Sequence, residues 1–313
     1  MNTPNNFSKP LLSVVVCTYN RGHYILRNLE SFIPQTLPYA DFEVVLVNNN
    51  SPDNTDEICN RFISKHPEIN ITYVTEMNQG HTYARNRGIT ESKSKLIAFI
   101  DDDAFVRPEY CENIVKFFAE NKTVDVIGGK IIPVYESGQE PKWMTPYLLT
   151  LMAAQDYGDK VVEFNPRKFP IGANMIYRSS VFDKIGIFNV DLGRRGDGLE
   201  GGDEKDVIHR LRQVGGVIYY VPNVVVDHII GEYREKMDYI KAMGIGVGSS
   251  ERTRIKEAGA TGVFKKILEE GFKWGATFTL LLFYSVTFRP IKGWTLLKFR
   301  FWVFLGLTNN KVQ

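Results

Sequence analysis

The sequence predicts an α/β protein: an open, doubly wound, mostly parallel sheet followed by a C-terminal helical, amphipathic extension. Three observations predict it. Short β-branched runs alternate with segments of helical spacing along the first third of the chain, as parallel strands with right-handed crossovers require. The runs are predominantly apolar, the mark of strands buried on both faces. Polar clusters rich in Asn, Asp and Arg follow the runs, at the carboxyl ends where such sheets bind ligands.

Leu11–Cys17 (LLSVVVC) reads as the first buried strand, and Gly22 to about Phe32 as a helix through Ile25, Leu29 and Phe32. Glu43–Val47 is the second strand. Ser51-Pro52 then predicts a helix start, Ser as N-cap and Pro at the first helical position. Ile71–Val74 is the third strand, before a helix over about Gln79–Ser92. Leu96–Ile100 is the fourth, ending in three aspartates. Pro108 begins a helix through Phe118, and Val124–Ile132 is strand-like. Residues 133–170 read as irregular, and Ile171–Tyr177 as a strand. Residues 191–202 hold five glycines among charges and predict a mobile loop. Asp203–Val214 is a helix, with two short strands, Gly216–Val221 and Val224–His228, around Pro222. The expected organisation is a disordered leader (1–10), a catalytic domain (11–230, halves 11–105 and 106–230) and the extension (231–313).

A net charge of +2 over 313 residues gives no basis for nucleic-acid binding, but the distribution is uneven. From Ile255 to Gln313, nine Lys/Arg stand against three Glu, a local +6, leaving the rest at about −4. The three cysteines, Cys17, Cys59 and Cys111, lack metal-ligand spacing and cannot all pair. They predict structural thiols in a reduced compartment. No apolar stretch reaches the ~18–20 residues of a spanning helix.

The motifs lie at the strand ends. Thr18-Tyr19-Asn20-Arg21 can hold a nucleoside and face a phosphate, though a plain connecting loop has the same residues. Asn49, in the run Asn48-Asn49-Asn50-Ser51, suits a base edge or a capping turn equally. Gly80 opens a segment in which Arg85 can reach a diphosphate or form a solvated basic face. Asp101-Asp102-Asp103 repel one another at the end of a buried strand, and a divalent cation relieves that repulsion. Gly202-Asp203-Glu204 starts a helix where a carboxylate can accept a proton, or simply favour the helix terminus. His228 alone reads as structural.

In order and spacing, SVVVCTYNR, VLVNNNSPDNT, NQGHTYARNRG, FIDDD, GANMIYR, GGDEKDVIHRL and YVPNVVVDH resemble the family-2 glycosyltransferases, from Leu11 to Ile230, roughly seventy per cent of the chain. The resemblance implies a GT-A fold and transfer of a sugar, with inversion, from a nucleotide diphosphate to an acceptor hydroxyl. Thr18, Tyr19, Asn20, Arg21, Asn49, Gly80, Arg85, Asp101 and Asp102 would bind the nucleotide-sugar. Asp101 and Asp103 occupy the outer positions of the DxD signature and, with His228, would hold Mg²⁺ or Mn²⁺. The base would be Glu204 or Asp203, since the family's Glu-Asp order is reversed here. Trp143, Asn174 and Gly202 are candidates for the acceptor. Asn48 and Asn49 stand where the family carries acids. The processive Gln-x-x-Arg-Trp pattern has only an upstream counterpart, Gln139 to Trp143 with Lys142, which implies one sugar per encounter. The rival readings are a nucleotidyltransferase and a non-catalytic relative.

Trp274–Phe288 is uncharged but only fifteen residues long, roughly 22 Å as a helix. Aromatics interleave with Lys298 and Arg300 after it. The segment predicts docking on an anionic membrane surface, at the inner face of the cell membrane, where a saccharide or lipid-linked acceptor is presented. Burial of two helices against the catalytic domain or in a dimer is the alternative.

Overall fold

The computed structural model describes residues 9–193 and 202–308, except for the side chains of 250 and 253–267. Most of the expected leader (1–8) and of the expected mobile loop (194–201) therefore lies outside the described residues. The chain forms two compact units, residues 1–132 with 153–228, and residues 133–152 with 229–313.

The first unit is built on a mixed sheet with the strand order β3-β2-β1-β4-β8-β6-β9-β5. β1 (Leu12–Thr18), β2 (Phe42–Asn48), β3 (Ile71–Thr75) and β4 (Leu96–Asp101) are mutually parallel. β1 and β2 are buried almost end to end, and the two polar side chains inside them are paired, Ser13 Oγ donating to Glu43 Oε1 at 2.6 Å. Four helices return the chain between and after these strands: α1 (Gly22–Glu30), α2 (Thr55–Lys65), α3 (His81–Glu91) and α4 (Tyr110–Glu120). Helix α3 lies close over β1 because Gly88 carries no Cβ; one built there would overlap the Val15 side chain.

Beyond β4 the sheet turns antiparallel. β5 (Ala104–Val106), β6 (Val126–Tyr135), β7 (Val162–Glu163), β8 (Met175–Arg178) and β9 (Ile218–Ile230) complete it, with α5 (Ser180–Ile185) and α6 (Asp203–Gln213). Phe99 of β4 anchors one face, its ring edge-on to Tyr177, Phe182 and Phe188 at 5.4–6.3 Å.

Three expectations are corrected. Helix α2 starts at Thr55, not at Ser51-Pro52, because Asp53 Oδ1 accepts from the Thr55 amide at 3.1 Å while Ser51 Oγ accepts from the Asn20 amide at 3.0 Å. Ser51 thus ties two loops together instead of capping a helix. The strand expected over Ile171–Tyr177 begins only at Met175, since Gly172–Asn174 form a 3₁₀ turn closed by the Asn174 amide on the Ile171 carbonyl. The two strands expected around Pro222 are one, β9. A proline is tolerated where its missing N–H has no ladder partner to lose.

The second unit contains α7 (Met237–Val286) and α8 (Pro290–Thr308). Ile240, Tyr284 and Leu296 form its core with Met144, Leu148 and Met152. The two helices meet backbone to backbone: a Cβ on Gly248 would overlap the Val303 carbonyl, and one on Gly306 the Ile245 carbonyl. No helix among the described residues is long and apolar enough to cross a membrane.

Candidate active site

The parallel register sets Thr18 level with Asn48 and Cys17 level with Asp101, so the motifs gather at one sheet edge. From Asp101 the chain turns through Asp102 and Asp103 into β5. Antiparallel pairing of β5 with β9 puts Ala104 opposite His228. His228 Nε2 consequently lies 3.1 Å from Asp103 Oδ1, and Arg21 Nη1 donates to Asp103 Oδ2 at 3.0 Å.

Asp101, Asp103 and His228 each offer a ligand atom, all within 4.8 Å of one another. Two carboxylates and an imidazole are a donor set for a divalent cation that prefers oxygen and accepts nitrogen. His228 is buried, and among the described residues its Nδ1 has no hydrogen-bond partner, a desolvated polar atom of the kind metal sites contain. These residues fit the ion. Burial pushes the neighbouring Cys17 thiol up to about 12, so it stays protonated and adds no soft ligand. All three cysteines are free.

Arg85 was expected to face the diphosphate. The structure buries it to 2% exposure among carboxylates instead. Its Nη1 donates to Asp203 Oδ2 at 2.6 Å and its Nη2 to Glu204 Oε1 at 3.2 Å, with Asp101 Oδ1 3.8 Å away. The two acids of α6 are thereby differentiated. Burial alone would raise Asp203, but Arg85 and then His81 outweigh it and hold the carboxyl below its usual range. Burial pushes Glu204 up to about 7; Arg85 opposes the rise, and Asp203 and Asp101 add to it. Glu204 keeps 24% of its side chain accessible, against 6% for Asp203. A carboxyl poised near neutrality and still reachable is suited to general-base work. Gly202 caps α6 with φ +149°, and among the described residues nothing stands within 4 Å of where its Cβ would be.

Sequence reasoning missed Gly172. A Cβ there would overlap Glu204 Oε1 and Arg85 Nη2, so the bare backbone of the 3₁₀ turn is what lets that ion pair form. Its only trace in the sequence is a glycine at a strand's approach.

In the first loop, Thr18 is buried, Tyr19 is half-buried, and Asn20 has φ +54°. Asp102 is buried behind them; burial and Asp103 push it up to about 7, with Arg21 opposing. Asn49 is committed to the fold. Its Nδ2 donates to the Glu76 and Asn78 carbonyls at 3.0 and 2.7 Å, and its Oδ1 accepts from the Gly80 amide at 2.8 Å and Gln79 Nε2 at 3.3 Å. An aspartate would set a carboxylate against two carbonyls, which explains the amide at this position.

Asn174 is likewise taken up internally. Fully buried, it donates to the Lys130 and Val224 carbonyls at 3.0 Å and accepts from Tyr110 Oη at 3.1 Å. That leaves no exposed amide for an acceptor. Trp143 lies in the second unit, half-buried against its apolar cluster.

A family model described as glycosyl transferase family 2 matches residues 13–186. A glucosyl-dolichyl phosphate glucuronosyltransferase of Haloferax volcanii is 26% identical over 248 residues, 77% of this chain and 76% of that protein. The minor teichoic acid biosynthesis protein GgaB of Bacillus subtilis is 35% identical over 124 residues, 39% of this chain but 13% of that protein. Among solved structures, the mannosyltransferase PcManGT of Pyrobaculum calidifontis, in complex with GDP-Man and Mn²⁺, is similar with a TM-score of 0.63 at 19% identity. That likeness covers 99% of this chain and 90% of that one, and it extends the GT-A architecture to the present fold. With the matched segment spanning more than half of its length, the chain belongs to glycosyl transferase family 2.

Proposed function

We propose that the protein transfers one sugar per encounter, with inversion, from a nucleoside-diphosphate sugar to the hydroxyl of a saccharide or lipid-linked saccharide, in cell-surface polysaccharide or glycolipid assembly. The observation that carries this is the convergence, at one sheet edge, of the Asp101–Asp103–His228 donor set with Glu204 tuned to about 7. The named relatives support the class of acceptor: one acts on a dolichyl phosphate glycan, another in teichoic acid synthesis.

Asp101, Asp103 and His228 would hold Mg²⁺ or Mn²⁺, which when bound neutralises the charge developing on the leaving diphosphate. Glu204 takes the acceptor proton as that oxygen attacks the anomeric carbon from the face opposite the diphosphate. The carbon–oxygen bond to the diphosphate breaks, and Arg21, at the mouth of the first loop, faces the new charge. Arg85 fixes the Glu204 carboxylate and keeps it ionisable.

The second unit supports a peripheral position on an anionic membrane, at its cytoplasmic face. Its last helices are basic and aromatic, and large apolar side chains such as Phe272 and Leu282 are exposed.

Thermal unfolding against a panel of nucleotide-sugars tests the catalytic reading. One donor should raise the midpoint with Mn²⁺ or Mg²⁺ present and not with chelator. Failure of every donor in either metal would overturn it.

A further inference from the structure

The turn joining α7 to α8 contains an anomaly. Phe288 adopts φ +57°, a region that bulky side chains avoid. Nor does packing compensate, for its side chain is 94% exposed. A turn shaped only for stability would carry Gly or Asn there. Beside it, Phe283, Val286, Ile291 and Trp294 are each more than half exposed. The apolar surface is thus continuous around the tip of the helical hairpin, on both helices and the turn between them.

Charge says what this tip meets. Residues 271–308 include five Lys/Arg and no Asp or Glu. Lys273 and Arg300 share Glu270, and Lys292 faces Glu140 at 3.8 Å. Arg289, next to Phe288, and Lys298 are exposed and make no ion pair among the described residues. A second copy of the same tip would bring like charges together with no acid to answer them. An anionic lipid surface answers them directly, with apolar side chains below the headgroups and guanidinium or ammonium at the phosphates.

We propose that the α7–α8 tip inserts into the interfacial layer of an anionic bilayer, with Phe288 as the deepest side chain, Trp294 at the headgroup boundary, and Arg289 and Lys298 on lipid phosphates. The inference rests on the membrane reading above and specifies which side chains enter the lipid. Insertion is from one side only, as no helix of the described residues can cross.

The test uses the full chain and phosphatidylcholine vesicles with and without phosphatidylglycerol. Asn suits the left-handed turn, so Phe288→Asn should fold at least as stably as the parent. Its partition onto anionic vesicles should fall about tenfold or more, since burying a phenyl group accounts for at least that factor. Hydrolysis of the donor by water should be unchanged. Trp294 supplies a second readout: brominated acyl chains should quench emission in the parent and markedly less in Trp294→Phe. If the parent does not float with anionic vesicles, the membrane reading fails and this inference with it. If the parent floats and Phe288→Asn floats equally, the inference alone fails. A concentration-dependent dimer abolished by Phe288→Asn would assign the tip to a second copy and overturn it too.

Discussion

Arg85 Nη1 stands 2.6 Å from Asp203 Oδ2, so the cation of α3 is the counter-ion of α6 rather than a free hand for phosphate. Removing it leaves buried carboxylates uncompensated, a loss of about 3–5 kcal/mol when one partner of a buried pair is deleted. Arg85→Met should therefore lower the unfolding midpoint strongly as well as turnover. A variant of parental stability would show that the pair contributes little to the fold.

Glu204→Gln should reduce kcat by orders of magnitude with donor affinity nearly unchanged, because it removes a proton acceptor and almost no volume. Asp203→Asn, which weakens the bond to Arg85, should instead act mainly on stability. An inactive Asp203→Asn beside an active Glu204→Gln would reverse the assignment.

The pH profile follows from the same pair. A base must be ionised, so kcat/KM should fall as pH drops through about 7, the value to which burial raises Glu204. Stability runs the other way for this group: protonation above the ordinary carboxylate range favours the fold, and that contribution is lost as pH rises through about 7. Asp203, held low, contributes stability above the ordinary carboxylate range and loses it as pH falls through its own depressed value. Initial-rate profiles and urea titrations over a range of about four pH units centred on the Glu204 value read its two opposite effects, and the Asp203 loss follows at lower pH, below 3.8.

Asp103→Ala should abolish transfer and metal-dependent donor binding while the circular dichroism spectrum stays that of the parent. Isothermal titration with Mn²⁺ and donor decides it; undiminished metal-dependent affinity would exclude Asp103 as a ligand.

Gly172→Ala should displace the Arg85–Glu204 pair, because its new Cβ falls on both side chains. The expected result is a drop in kcat larger than any change in KM, and a shifted acid limb in the pH profile. A purely structural role would lower stability and leave that limb in place.

The parallel half of the sheet was legible because each strand is a predominantly apolar or β-branched run and a polar cluster follows it directly. Asp101, Asp103 and His228 were recognisable by resemblance, and the structure supplies the reason for their meeting, the pairing of β5 with β9. That short strand was invisible: Ala104–Val106 is three residues long and has no pattern to read. The surroundings of Arg85 were not legible, because its sequence context shows a basic helix and not the acids that fold against it from 118 positions away. The partners of Asn49 and Asn174 were equally illegible. Polar residues at a strand end suggest a ligand, yet both amides are consumed in holding loops.

The β5–β9 pairing also bears on how the chain reaches its native state. Arg107 and Asp227, bonded across those strands at 2.9 Å, are 120 positions apart. Contacts of such long range are costly to close and tend to form late. Strand β4 closes spans of 84 and 82 positions on β1 and β8 (Ser13 with Ile97, Leu96 with Arg178), shorter than the 120 that bring in β9, and the histidine joins the aspartates only when β9 docks. A nascent or proteolytically shortened chain that ends between α6 and β9 would carry the acidic cluster and the α6 acids without the imidazole partner. Refolding followed by a metal-binding signal should consequently lag behind the recovery of helical structure, making cation capture a clock for the final step of assembly.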